Sequence, residues 1–152
     1  MRRVLLVLIF ILLCACGYAQ TVIIRPDASV GFFKARDTLD LSFSYGGKIL
    51  LTANNSQRYG VLIDHLVLSG ESWLTVGIFL EQLVFKYFNM GIGTVGYIAL
   101  KNGENPFGLY THLGFEYPIW RFHLLAAYRS DMIFGSRYIM NNALMLGVGI
   151  GF

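Results

Sequence analysis

The residues best suited to chemistry are three histidines, His65, His112 and His123. Nucleophilic acyl transfer would need a serine beside one of them and an acid to orient the ring. Their contexts read Asp64-His65-Leu66-Val67, Thr111-His112-Leu113-Gly114 and Phe122-His123-Leu124-Leu125, and none has a serine two residues on. Arg129-Ser130-Asp131 supplies a serine, but at odd spacing from His123, so a regular strand points the two side chains to opposite faces. The histidines show neither His-x-His nor His-x-x-x-His spacing, the patterns that would put two on one face for a metal. Gly91-Ile92-Gly93-Thr94-Val95-Gly96 matches G-x-G-x-x-G formally but lacks the helix and βαβ frame that let such glycines cradle a pyrophosphate. No cofactor is implied, and the expectation is a protein that is not an enzyme.

What must position these residues follows from composition. Of 152 residues, 55% are hydrophobic and only 14% charged, against about 25% in an average soluble domain. Mean hydropathy is +0.56. The net charge of +3 owes two charges to Arg2 and Arg3, leaving ten basic against nine acidic residues, so nothing points to nucleic acid. Low charge and three prolines exclude a disordered chain.

Residues 1–20, MRRVLLVLIFILLCACGYAQ, have the layout of a secretory signal: a basic start, an apolar run over residues 4–15, then Gly17 and Ala19. The expected organisation is a signal peptide at 1–19 and one domain at 20–152. Both cysteines, Cys14 and Cys16, lie in the leader, so the mature chain has no disulfide. Leu13-Cys14-Ala15-Cys16 also resembles a lipoprotein lipobox, with Cys14 in an unusual place, which keeps open a lipid-anchored periplasmic β-domain joined through Cys16.

Beyond the leader, the longest charge-free stretches are 87–100 and 138–152. Both fall short of the roughly 18–20 residues of a spanning helix and both carry repeated glycines. The apolar pattern has period two instead. At the C-terminus Leu144, Leu146, Val148, Ile150 and Phe152 share one face, while Ala143, Met145, Gly147, Gly149 and Gly151 share the other. The same alternation runs through residues 39–45, 73–80, 107–117 (with Thr111 as the exception) and 122–131, and more weakly through 28–36, 58–68 and 90–100. Eight strands of about ten residues fit the 133 residues from Gln20 onward; ten strands do not. Turns are expected at 101–106 and 117–120, and register over residues 20–70 stays open, with 48–52 either strand or turn. Trp73, Tyr97, Tyr110, Tyr117, Trp120, Tyr128 and Tyr138 lie near strand ends and suggest aromatic girdles.

The leader, the alternating strands and the aromatic last residue resemble the small eight-stranded outer-membrane β-barrels, the OmpA/OmpX-like superfamily. Gly147, Ile150 and Phe152 resemble the terminal insertion signal of such barrels, although Met145 stands where a polar residue is usual. The resemblance implies an all-β, antiparallel, up-and-down transmembrane barrel in the bacterial outer membrane. It would be a monomer, surrounded by outer-membrane lipid and inserted by the barrel assembly machinery, with a structural or surface-interaction role. An eight-stranded barrel is too narrow for an aqueous pore. Strand parity then sends Glu81, Tyr110, His112, Glu116, His123, Arg129 and Asp131 inward, where mixed signs would neutralise one another. The alternative is a lipid A-modifying enzyme of deacylase or acyltransferase type. The PagL-like deacylases carry a His-x-Ser-Asn run that this chain lacks.

Overall fold

A computed structural model describes residues 21–152 except 36, 37, 55 and 102, so the expected signal peptide and both cysteines lie outside the described residues. Eight strands follow one another: β1 (Thr21–Ala35), β2 (Thr38–Thr52), β3 (Gln57–Leu68), β4 (Glu71–Val84), β5 (Phe88–Ala99), β6 (Phe107–Ile119), β7 (Phe122–Phe134) and β8 (Tyr138–Gly151). Each pairs antiparallel with the next, and β8 returns to β1, which closes an up-and-down barrel with no free edge. The seam runs from Ile23 opposite Gly151 to Ala35 opposite Ile139. At its end Val22 and Phe152 exchange both backbone hydrogen bonds, at 2.9 and 3.2 Å.

The region of open register resolves into three strands, of 15, 15 and 12 residues. β1 begins at Thr21, seven residues before the expected 28, because the chain tolerates Pro26 where the β1–β8 pairing skips Arg25 and Pro26. Proline has no N–H to give a ladder, so it sits where one is not asked for. Residues 48–52 are strand, the end of β2, paired with residues 58–62 of β3. Gly46 is dictated by closeness: a Cβ there would lie 2.3 Å from the Ile63 carbonyl and 2.4 Å from the Asp64 carboxylate. The turn expected at 117–120 falls later, at Trp120-Arg121, since Pro118 and Ile119 still pair with His123 and Phe122. Ser69 and Gly70, at φ of 46° and 80°, form a two-residue hairpin of the left-handed kind whose twist matches the strands.

The outward positions form a belt of bulky apolar side chains; Leu144 and Leu146 are each 68% exposed. A soluble protein would bury such a belt, whereas hydrocarbon solvates it. Aromatic residues gather at both ends. Tyr87 stacks on Tyr117 at 5.6 Å near the termini, and Phe107, Phe134 and Tyr138 make tilted ring contacts at 5.6 and 5.8 Å at the opposite, loop end. Three of the aromatics expected in these girdles are not there. Trp73, Tyr97 and Tyr110 are buried, because their parity turns them into the barrel. Polar residues interrupt the belt at His65, at Thr94 and in a row of cross-strand neighbours, Thr111, Ser130 and Asn142 on β6, β7 and β8. The Thr111 hydroxyl donates to the Ser130 carbonyl at 3.3 Å.

Inside, the loop-end half is filled by Phe33, Leu66, Leu68, Trp73, Val95 and Ile133. The rest of the interior carries the polar side chains, together with buried Ile23, Leu50, Leu62, Phe79, Leu125 and Met145. Small residues make room for large ones: a Cβ on Gly60 would touch the Phe79 ring at 2.6 Å, and one on Gly91 would meet the His112 ring at 2.2 Å.

Candidate functional site

The inward polar side chains come from every strand. Period two places Arg25, Asp27 and Ser29 on one face of β1, Ser44 and Lys48 on β2, and Arg58 and Asp64 on β3. It does the same for Glu81 on β4, Asn89 on β5, His112 and Glu116 on β6, and Arg129 and Asp131 on β7.

They form two clusters. Nearer the termini, the Arg25 guanidinium lies 2.6 Å from Glu81 and 3.3 Å from Glu116, and Arg58 reaches the same two carboxylates at 2.9 and 2.7 Å. Asn89 donates its amide to Glu116 at 2.9 Å, and His123 Nδ1 meets Glu116 at 2.8 Å. His112 Nε2 faces two acceptors, Asn89 Oδ1 at 2.5 Å and Glu81 Oε2 at 3.4 Å, so it acts as a donor.

The second cluster is built on Arg129. Its Nε and Nη2 donate to Asp131 at 2.9 and 3.1 Å, and its Nη1 donates to Asp64 at 2.6 Å and to Ser44 at 3.2 Å. Asn141 and the Tyr97 hydroxyl also donate to Asp131, at 2.9 and 3.3 Å. Beside them Lys48 pairs with Asp27. The Tyr110 ring lies between the two cations, 5.0 Å from Arg129 and 5.4 Å from Lys48, and it also approaches the His112 ring at 5.5 Å. Tyr110 therefore joins the clusters through its face, as a cation–π partner.

Among the described residues the interior thus holds four cations (Arg25, Lys48, Arg58 and Arg129) and five carboxylates (Asp27, Asp64, Glu81, Glu116 and Asp131), every one of them in an ion pair. Buried charges persist only when paired and hydrogen-bonded, and this arrangement meets that demand. Glu81, Glu116, Asp131, Arg25 and Arg129 are each held by several neighbours, whereas Asp27 and Asp64 have one cation each and keep one carboxylate oxygen without a hydrogen bond.

Glu81, His112, Glu116 and His123 meet in the first cluster, and Arg129 and Asp131 in the second, with Tyr110 between them. The sequence reading did not include Arg25, Asp27, Lys48, Arg58 or Asp64. Their signal is Arg25-x-Asp27-x-Ser29 and the even spacing of Arg58 and Asp64, which Pro26 and the Gly46-Gly47 pair obscure. His65 lies outside the network; its ring contacts Tyr45 edge-on at 5.0 Å. Among the described residues no serine hydroxyl bonds a histidine. Of the terminal motif, Ile150 and Phe152 point outward. Gly147 faces in, where a Cβ would lie 3.1 Å from that of Asp27 and 3.4 Å from Arg25 Cγ.

The chain is similar in structure to solved outer-membrane barrels. Neisserial surface protein A superposes with a TM-score of 0.67 at 15% identity, over 86% of this chain and 97% of that one. The N-terminal β-barrel domain of Pseudomonas aeruginosa OprF gives 0.59 at 12% identity, over 84% and 97%. Ail, the attachment invasion locus protein of Yersinia pestis, gives 0.57 at 15% identity, over 87% and 98%. No family model matches the chain, and no curated protein matches it in sequence. The fold is that of the small eight-stranded outer-membrane barrels.

Proposed function

We propose that the protein is an integral barrel of the bacterial outer membrane with a structural or surface-interaction role, without an open pore and without enzymatic activity. One observation carries this reading: the lumen is occupied along its length, by two ion-paired clusters and then by the apolar packing of Phe33, Leu66, Leu68, Trp73 and Ile133. The interior histidines are engaged with Glu116, Glu81 and Asn89, which supports a structural role for them over a catalytic one. At the loop end the connections span only residues 36–37, 69–70, 100–106 and 135–137, which leaves little surface for adhesion and favours the structural half of the proposal. In this reading the partners are outer-membrane lipid around the belt and the barrel assembly machinery, which would engage the β8 end through Gly147, Ile150 and Phe152; the barrel works as a monomer.

The test is conductance of the purified protein in planar bilayers, alongside its mobility boiled and unboiled. A heat-modifiable protein that conducts no ions is the expected result. Steady single-channel openings from the folded form would overturn it.

A further inference from the structure

The terminus end of the barrel carries three turns, at residues 53–56, 85–87 and 120–121. Their charged side chains are both cations, Lys86 and Arg121. Glu81 and Glu116, the acids closest along the chain, are buried in the lumen with Arg25 and Arg58. The exposed acids among the described residues, Asp40, Glu71 and Glu104, all stand at the loop end. Neither Lys86 nor Arg121 has a carboxylate within ion-pair distance among the described residues.

The same turns display aromatic rings at a cost in backbone energy. Phe85, Lys86 and Trp120 have φ of 51°, 71° and 56°, the left-handed region where hairpin turns ordinarily place glycine or asparagine. Phe85 is 91% and Trp120 82% exposed, the highest values among the large apolar side chains described. Lys86 Nζ lies 5.3 Å from the Tyr87 ring and the Arg121 guanidinium 5.1 Å from the Trp120 ring, so each cation stands over an aromatic face. The two turns are neighbours: the Glu116 amide donates to the Tyr87 carbonyl at 2.7 Å, and Tyr87 stacks on Tyr117, three residues before Trp120. Bulky rings and bare cations held just past the apolar belt fit the boundary between acyl chain and headgroup.

We infer that the 85–87 and 120–121 turns bind the headgroup of an anionic glycerophospholipid. Its phosphate meets Lys86 and the Arg121 fork, while Phe85 and Trp120 rest among the upper acyl carbons beside the Tyr87–Tyr117 stack. With no acid on these two turns, the amine of a zwitterionic headgroup finds no partner, so a net anionic lipid is preferred. The inference rests on the barrel's place in a bilayer.

The chain has two tryptophans, so Trp73→Phe, checked for an intact heat-modifiable fold, leaves Trp120 as a reporter within the site. That variant is reconstituted in phosphatidylcholine vesicles containing a fraction of phosphatidylglycerol or of phosphatidylcholine brominated high on the acyl chain, and quenching of Trp120 gives the relative association of the two lipids. A preference for phosphatidylglycerol of roughly ten-fold is expected, falling to within about two-fold when Lys86→Gln and Arg121→Gln are added. Lys34→Gln, at the loop end, should leave the preference unchanged. Spin-labelled phosphatidylglycerol and phosphatidylcholine, compared on the chain with both tryptophans, should show the same excess of immobilised anionic lipid and its loss in the doubly neutralised variant. Equal quenching by the two lipids overturns the proposal and leaves the barrel in its bilayer. So does a preference that survives neutralisation of both cations, or one that Lys34→Gln abolishes. Quenching by neither lipid would place Trp120 in water and overturn it as well.

Discussion

Replacing Arg129 with methionine removes the cation that holds the second cluster together. Arg129 is fully buried and satisfies Asp64 at 2.6 Å and Asp131 at 2.9 and 3.1 Å. In the variant Asp131 keeps Asn141 and Tyr97, but neither carries charge, and Asp64 loses its ion pair. Five buried carboxylates then face three cations. Stranding one partner of a buried pair costs about 3–5 kcal/mol, whereas removing the whole set and filling its volume can be neutral or better. The loss corresponds to roughly a hundred- to a few-thousand-fold in the folded-to-unfolded ratio. Urea unfolding in lipid vesicles, followed by tryptophan emission, should show it. The triple variant Arg129→Met, Asp64→Asn, Asp131→Asn should recover most of the loss, because no unpaired charge remains. A single variant costing less than about 1 kcal/mol, or a triple variant no better than the single, would refute the claim that charge neutralisation holds this interior together.

Gly31→Ala places a Cβ 2.0 Å from the Asn142 carbonyl and 2.4 Å from Ala143 Cα, both backbone at the β1–β8 seam, so closure should fail and the heat-modifiable gel band should disappear. Asn142→Leu removes an unpartnered carboxamide oxygen from the lipid-facing row and should raise stability by about 1–3 kcal/mol in the same urea assay. Deleting Phe152 removes the bonding pair with Val22 and the aromatic end of β8; membrane insertion should fall while export continues, as read by fractionation of cells expressing the variant. The hydrogen bond that the Ser136 amide donates to Glu104 should loosen in acid: it holds that carboxyl below the usual range on folding, so its contribution is present above the ordinary glutamate range and lost as pH falls through the depressed value. The Ser136 amide shift in an NMR titration should follow that loss, and Glu104→Gln should abolish its pH dependence.

Period-two alternation is local, and a strand turns alternate side chains to opposite faces whatever it pairs with. For that reason residues 143–152 alone identify a strand with one bulky and one small face, and residues 107–131 separate Tyr110, His112, Glu116, Arg129 and Asp131 from their lipid-facing neighbours. Length and charge-free runs were enough to exclude spanning helices and to set the strand number at eight. The girdle reading of Trp73, Tyr97 and Tyr110 failed because nearness to a strand end says nothing about face, which their parity decides. Pairing partners are another matter. Arg25 meets Glu116 across 91 residues, and Arg129 meets Ser44 across 85. Those contacts exist only once β8 has closed on β1 and brought distant strands around one lumen. A Pro26 that reads as a strand breaker is harmless where the seam needs no donor, and a Gly46 that reads as a turn is a close approach to Asp64. Faces are a property of the local backbone and can be read along the chain; neighbours are set by closure of the ring, and only the folded barrel supplies them.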